Sequence, residues 1–261
     1  MRRSGCELAA HLQFDNEWFD LPLERLFDDL PGVVFFIKDH NGRYICVNST
    51  LAERCGVAAK SELLGRLPSD LFPPPLAARY EQQDLRVVQT RRPVVDRLEI
   101  HFYPNCRRGW CITNKYPVCN RTTGRVAGLM GISRDVEATA SHRAPREFPE
   151  LARVLDLLHE QISQPPRIEE LARRSDMSVD QLSRLVFRLF SITPRQLLMK
   201  MRLDEAMHLL TSTQLSLAEI AIATGFCDQS AFTRHFRRFT GMPPGVFRTQ
   251  DAGPRTSSYD P

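Results

Sequence analysis

The chain has 261 residues, of which 42% are hydrophobic and 25% charged, and its formal net charge is +4. This balance excludes a disordered chain and fits one or two globular domains. No stretch approaches the roughly 18 consecutive apolar residues of a membrane span, and no apolar segment behind Met1-Arg2-Arg3-Ser4 reads as a signal peptide. The seven cysteines are odd in number and irregularly spaced, which argues against a disulfide framework and for a reducing cytoplasm.

In chain order, residues 1–22 read as an N-terminal extension. From Pro31-Gly32 the pattern becomes strand-like: Val33-Val34-Phe35-Phe36-Ile37-Lys38, a turn at Asp39-His40-Asn41-Gly42, then Arg43-Tyr44-Ile45-Cys46-Val47. Asn48-Ser49-Thr50 caps a helix through Cys55. A helix follows from about Leu76 to Thr90. Three more strands are predicted over Val94 to Phe102, Gly109 to Val118 and Arg125 to Ser133, with turns at Tyr103-Pro104-Asn105 and Asn120 to Gly124. Strand alternation and helix faces place Phe36, Tyr44, Phe72, Phe102, Trp110 and Met130 inside, where they either line a cavity or fill a closed core. Residues 139–149 are polar, carry Pro145 and Pro149, and read as a linker. Residues 251–261 read as a flexible tail.

The C-terminal part, residues 150–250, is helical and repeats itself. Ile168, Leu171 and Ala172 recur in spacing as Leu217, Ile220 and Ala221. Ser178-Val179-Asp180-Gln181 and Ser216-Leu217-Ala218-Glu219 both have the capping-box form. Leu182, Leu185, Val186 and Leu189 make one buried stripe. A long amphipathic helix after Pro194 carries Leu197, Leu198, Met201, Ala206, Leu209 and Leu210. Gly225 can stop the helix that begins at Leu217, and Asp228 can cap the next. In that next helix Phe232, Phe236 and Phe239 fall on one face, with Ser230, Thr233, Arg234 and Arg237 roughly opposite. An apolar face for packing and a basic, hydroxyl-bearing face for phosphates and base edges are what a major-groove helix needs. Gln229, Ser230, Thr233, Arg234, Arg237 and Arg238 are therefore candidate DNA-binding residues, with Ser183, Arg184 and Arg188 in the first unit. Between Gln181 and Gln250, nine Lys/Arg stand against four Asp/Glu, so the chain's positive excess lies there.

Two helix-turn-helix units on a connecting helix, ending in Gly225-Phe226, Asp228, Ser230, Phe232, Arg234, Phe236-Arg237-Arg238, Gly241, Pro244 and Phe247-Arg248, resemble the DNA-binding domain of AraC/XylS-type transcription regulators. The resemblance implies two recognition helices in successive major grooves about 34 Å apart on promoter DNA, with RNA polymerase as a further partner. The first unit departs from the family pattern: Ser191 stands where a glycine is usual, Leu197 where an aromatic is usual, and Asp180 and Phe187 lie on the outward face. In the N-terminal half, the Phe36-Ile37-Lys38-Asp39 start, Gly42-Arg43-Tyr44, Val47-Asn48 and the last strand ending Gly131-Ile132-Ser133-Arg134-Asp135 resemble a PAS domain over residues 23–138. The resemblance implies an α+β sensor domain with an antiparallel sheet, ahead of the all-α DNA-binding domain, acting through a small ligand, homodimerisation or both. No cofactor is expected: the reactive-cysteine motif of flavin sensors is absent, and the Leu76–Thr90 helix has no histidine for haem.

The reading is a cytoplasmic, nucleoid-associated, non-enzymatic regulator without a metal. The alternative is a regulator responding to DNA alkylation, metal or redox state through Cys106, Cys111 and Cys119, with Cys46 or His101 as a fourth ligand. The irregular spacing favours buried structural thiols instead.

Overall fold

A computed structural model describes residues 10–14, 17–21, 23–102, 108–120, 122–136 and 148–251. The chain divides into two compact units at Val136/Glu137. Of the expected linker (139–149) and tail (251–261), residues 139–147 and 252–261 lie outside the described residues, as does the Tyr103-Pro104-Asn105 turn.

The first unit opens with a two-stranded antiparallel pair, β1 (Ala10–Phe14) and β2 (Glu17–Leu21). Residues 10–14 and 17–21, within the segment read as an extension, thus pair as strands, and Asp15-Asn16, between them in sequence, is a turn signal that the sequence reading did not use. After α1 (Leu23–Asp28) come β3 (Val33–Asp39), β4 (Tyr44–Val47), α2 (Ser49–Arg54), α3 (Pro74–Thr90), β5 (Val94–Phe102), β6 (Arg108–Cys119) and β7 (Val126–Asp135). The five later strands form one antiparallel sheet in the order β4-β3-β7-β6-β5. The β3–β4 turn is held by Asp39, whose carboxylate accepts from the Asn41 and Arg43 amides at 2.9 Å, and Gly42 supplies a φ of +84°.

Asn48 joins three elements. Fully buried, its side chain accepts from the Phe35 amide at 3.0 Å and the Leu51 amide at 3.3 Å, and donates to the Phe27 and Val33 carbonyls at 3.1 and 2.7 Å. All four positions of the amide are thereby satisfied. One face of the sheet packs Phe35, Ile37 and Cys46 against Leu23, Phe27 and Ile132. The other face, carrying Val34, Phe36 and Lys38, meets α3 through buried Tyr80, Gln83, Asp84 and Val87. The glycines of β7 permit close approach: a Cβ at Gly128 would overlap the Lys38 carbonyl oxygen, and one at Gly131 would lie 2.6 Å from Phe36 Cζ.

The second unit is helical: α4 (Pro149–Glu160), α5 (Ile168–Arg174), α6 (Val179–Phe190), α7 (Pro194–Ser212), α8 (Leu217–Ala223), α9 (Gln229–Thr240) and α10 (Pro244–Asp251). Reciprocal caps open α6 (Ser178 with Gln181), α7 (Thr193 with Gln196) and α8 (Ser216 with Glu219), and the Asp228 carboxylate accepts from the Ala231 amide at 2.6 Å to open α9. The connecting helix α7 buries Leu203, Ala206, Met207 and Leu210, an i, i+3, i+4, i+7 face, while Leu198, Met201 and Leu209 are only half-buried flanks. The stripe is thus rotated from the one drawn from the sequence, because α7 packs against both small bundles. A chain of rings centres the second bundle: Phe226–Phe232 at 5.4 Å, Phe232–Phe236 at 5.5 Å and Phe236–Phe247 at 5.4 Å.

The helix ends differ between the two units. Gly241 closes α9 in the left-handed conformation at φ +85°. Ser191 closes α6 at φ +56°, taking the same conformation without glycine's freedom. Replacing Ser191 with Gly is expected to raise the stability of the C-terminal unit by up to about 1 kcal/mol. Phe236→Ala, which empties the centre of the ring chain, is expected to cost about 3–5 kcal/mol. Urea unfolding followed by circular dichroism measures both; a neutral Phe236→Ala would mean the ring chain is not the core of this bundle.

Candidate nucleic-acid interface and ligand cavity

Helix α9 is oriented by its buried side. Ala231, Phe232, Phe236 and Thr240 are buried, and the Thr240 hydroxyl donates to the Phe236 carbonyl at 2.8 Å. That anchoring turns Gln229, Ser230, Arg234, Arg237 and Arg238 outward, with Thr233 half-exposed beside them. Arg238 lies on the flank, its guanidinium 5.7 Å from the Phe239 ring. Among the described residues Arg184, Arg234 and Arg237 make no hydrogen bond or ion pair. The local field is positive: His235 titrates below its ordinary range, first through burial, then through Arg234, Arg238 and Arg202. A helix with hydroxyl and amide groups among such arginines can accept phosphates and read base edges.

In the first unit, Arg184 and Arg188 are exposed on α6 and Ser183 is half-exposed. The Arg188 guanidinium sits 4.9 Å from the Phe148 ring. Asp180 is exposed on the same helix, and Phe187 is 58% exposed. Arg248, part of the basic excess, serves the fold: it donates to the Leu210 and Leu215 carbonyls at 3.3 and 2.6 Å.

Beneath α3 the sheet encloses a cavity of about 40 Å³. Its wall includes three of the residues picked from the sequence, Phe36, Tyr44 and Phe72. Trp110 and Met130 do not line it, and the Phe102 side chain lies outside the described residues. Met130 pairs in register with Ile37 and Tyr116, so strand alternation puts it on the opposite face, where it is 40% exposed. Trp110 is likewise one residue out of phase with Thr113 and Lys115.

The groups that the sequence reading missed are the polar ones. Lys38 and Lys115 bind the two oxygens of Asp84 at 2.6 and 2.5 Å, and all three residues are buried. Asp84 is held below the usual carboxylate range: burial opposes this, but Lys115 and Lys38 outweigh it. At the other end, Glu99 is ion-paired with Arg79 and Arg97 at 2.9 and 2.8 Å. The signal was present in the phase Val34-Phe36-Lys38, which puts Lys38 on the face of Phe36. A strand-end lysine is ordinarily read as solvated, so it was passed over.

The described members of the cysteine cluster are not brought together. Cys111 and Cys119 lie eight residues apart on β6, roughly 26 Å along an extended strand. Cys46 packs on the face away from the cavity, and Cys106 lies outside the described residues. Among the described residues, no group of three or more His, Cys, Asp or Glu is arranged to hold a metal.

Residues 171–250 match a family model described as a helix-turn-helix domain, and residues 27–141 match one described as a PAS fold. The HTH-type transcriptional regulator GbdR of Pseudomonas aeruginosa is 31% identical over 103 residues, 40% of this chain and 28% of that protein. A Vibrio cholerae protein named diguanylate cyclase is 32% identical over 123 residues, 47% of this chain and 37% of that protein. The chain thus spans about a third of the length of these curated relatives. Among solved structures, the DNA-binding domain of AdpA in complex with a target DNA is 30% identical over 42% of this chain and 98% of that chain, with a TM-score of 0.39. Residues 171–250 thus carry a helix-turn-helix domain and residues 27–141 a PAS fold.

The cavity's electrostatics give a pH signature. Burial alone would lower the His101 pKa; Cys111 and Glu99 outweigh it and lift it to about 9. A raised pKa means stability that is fully present below the ordinary value of 6.5 and lost as pH rises through about 9. The melting temperature of the N-terminal unit is expected to fall across that window, and His101→Asn to flatten the profile. Equal pH profiles for the two proteins would show that His101 does not carry this charge.

Proposed function

We propose that this protein is a sequence-specific, DNA-binding transcription regulator. The carrying observation is α9: a helix rigidly seated through Phe232 and Phe236 that presents Gln229, Ser230, Thr233, Arg234 and Arg237 on its outer face. The arginines engage phosphates and guanine edges, and the short polar side chains select base edges. Helix α6 serves as the second and weaker reader: Arg184 and Arg188 supply its positive charge, which the exposed Asp180 on the same helix opposes.

The PAS domain acts as the sensor, through a small ligand in the cavity, and as the dimerisation module. Support for pairing comes from Tyr116 and Met130, which are 42% and 40% exposed on the sheet face opposite the cavity. RNA polymerase is the further partner of a promoter-bound complex, and the protein works in the cytoplasm without an enzymatic step. No described helix is long and apolar enough to cross a membrane.

The experiment is in vitro selection of a binding site from random duplexes, followed by fluorescence anisotropy across salt concentrations. Arg234→Ala or Arg237→Ala is expected to weaken binding; an arginine on phosphate alone weakens all sequences alike and reduces the magnitude of the log–log salt slope by about one. Gln229→Ala and Thr233→Ala are expected to change preference at individual base pairs by about 1–3 kcal/mol. If none of the four changes alters binding, α9 does not lie in the groove.

A further inference from the structure

We propose that the PAS cavity takes a small monoanionic ligand, a short-chain carboxylate seated by Lys38 and Lys115. This rests on the reading of the cavity as a ligand site. Lys38 on β3 and Lys115 on β6 face the cavity from strands separated by β7. On β7, between them, Gly131 yields its space to the Phe36 ring and Ser133 faces the cavity. Both lysines share one carboxylate, Asp84, at 2.6 and 2.5 Å. Lys38, Lys115 and Asp84 are 1%, 3% and 3% exposed. Two ammonium groups on one carboxylate leave one positive charge in excess, shielded from water.

Glu99 offsets that charge only in part, being held by Arg79 and Arg97. Uncompensated buried charge is costly, so the site either sheds a proton or takes an anion. Burial accordingly pushes the Lys115 pKa down, against the pull of Asp84. A bound carboxylate would reverse that pressure and restore neutrality with one negative charge. The hydroxyls of Thr113 and Ser133, 3.0 Å apart, add donors on the same wall.

The rest of the wall selects the ligand body. Phe36, Tyr44, Phe72 and Tyr80 supply aromatic surface, and Lys38 Nζ already lies 4.3 Å from the Tyr44 ring centre. A cavity of about 40 Å³ has room for about three waters, so the fitting ligand is a carboxylate with a body of roughly one to four carbons. A neutral molecule would leave the positive charge standing.

The test uses the full chain, titrated with acetate, propionate and butyrate at constant ionic strength, against acetamide, propionamide and butyramide. Melting temperature and isothermal calorimetry are read in parallel. At least one carboxylate is expected to bind saturably and raise the melting temperature, with its amide counterpart inert. Lys115→Met, checked for folding by circular dichroism, is expected to weaken carboxylate binding by about tenfold or more. Amides that bind as well as the carboxylates would overturn the anion assignment while leaving the cavity as a ligand site. Binding by inorganic phosphate or chloride but by no carboxylate would overturn the carboxylate assignment. No binding by any of these probes would overturn both the assignment and the reading of the cavity. The comparison of carboxylate with amide on the unmodified protein stands even if the Lys115 variant does not fold.

Discussion

The N-terminal unit is organised around one carboxylate. Asp84 projects from the middle of α3 and ties that helix to β3 through Lys38 and to β6 through Lys115. Ion pairs this deeply buried tolerate little slippage, because a shift that broke either contact would leave a desolvated charge alone. The helix is therefore locked in register over the sheet. The space left between them, walled by Phe36, Tyr44, Phe72 and Tyr80, follows from that registration. Apolar packing alone would hold α3 to the sheet less specifically and would close the gap.

The close packing of β7 serves the same arrangement. Gly131 lets the Phe36 ring lie against the strand, and Gly128 lets the backbone of β3 approach. On the far side of the molecule's first unit, Asn48 does for α1, β3 and α2 what Asp84 does for α3, with neutral hydrogen bonds instead of charges. The fold thus relies on a few buried polar junctions set among aliphatic and aromatic contacts. Each joins elements distant in sequence: Asn48 has all four positions of its amide filled, and Asp84 has both oxygens paired.

The C-terminal unit is built on different terms. Helices α6 to α9 begin at local side-chain caps, and α5, α6, α8 and α9 end at or beside a left-handed residue, so these boundaries are set by neighbours in sequence. The ring chain from Phe226 to Phe247 then fixes which face of α9 is outward. Gly225 has a second duty beyond its φ of +76°: a Cβ there would lie 2.5 Å from the Ile162 carbonyl oxygen, so the turn between α8 and α9 can close only on glycine. The basic face is the consequence of that packing, and Arg248, whose side chain braces the carbonyls after α7, shows that not every arginine in the region belongs to it.

What the sequence determined by itself is whatever rests on local chemistry. Capping boxes at Ser178 and Ser216, the Asp228 cap, the Asn41-Gly42 turn and the 3.6- and 2-residue periods are short-range patterns, and they suffice for the order of strands from β3 to β7 and for the residues on the outer face of α9. The tertiary structure alone decided what depends on long-range pairing. The ion triad of Lys38, Asp84 and Lys115 joins residues 46 and 31 positions apart, a relation no local pattern carries. The same holds for the phase of β7, which turned Met130 away from the cavity, and for the length of β6, which keeps Cys111 and Cys119 apart. A side chain's chemical type can be read from the chain. Whether a lysine is solvated or buried on a shared carboxylate depends on which segments meet, and only packing settles that.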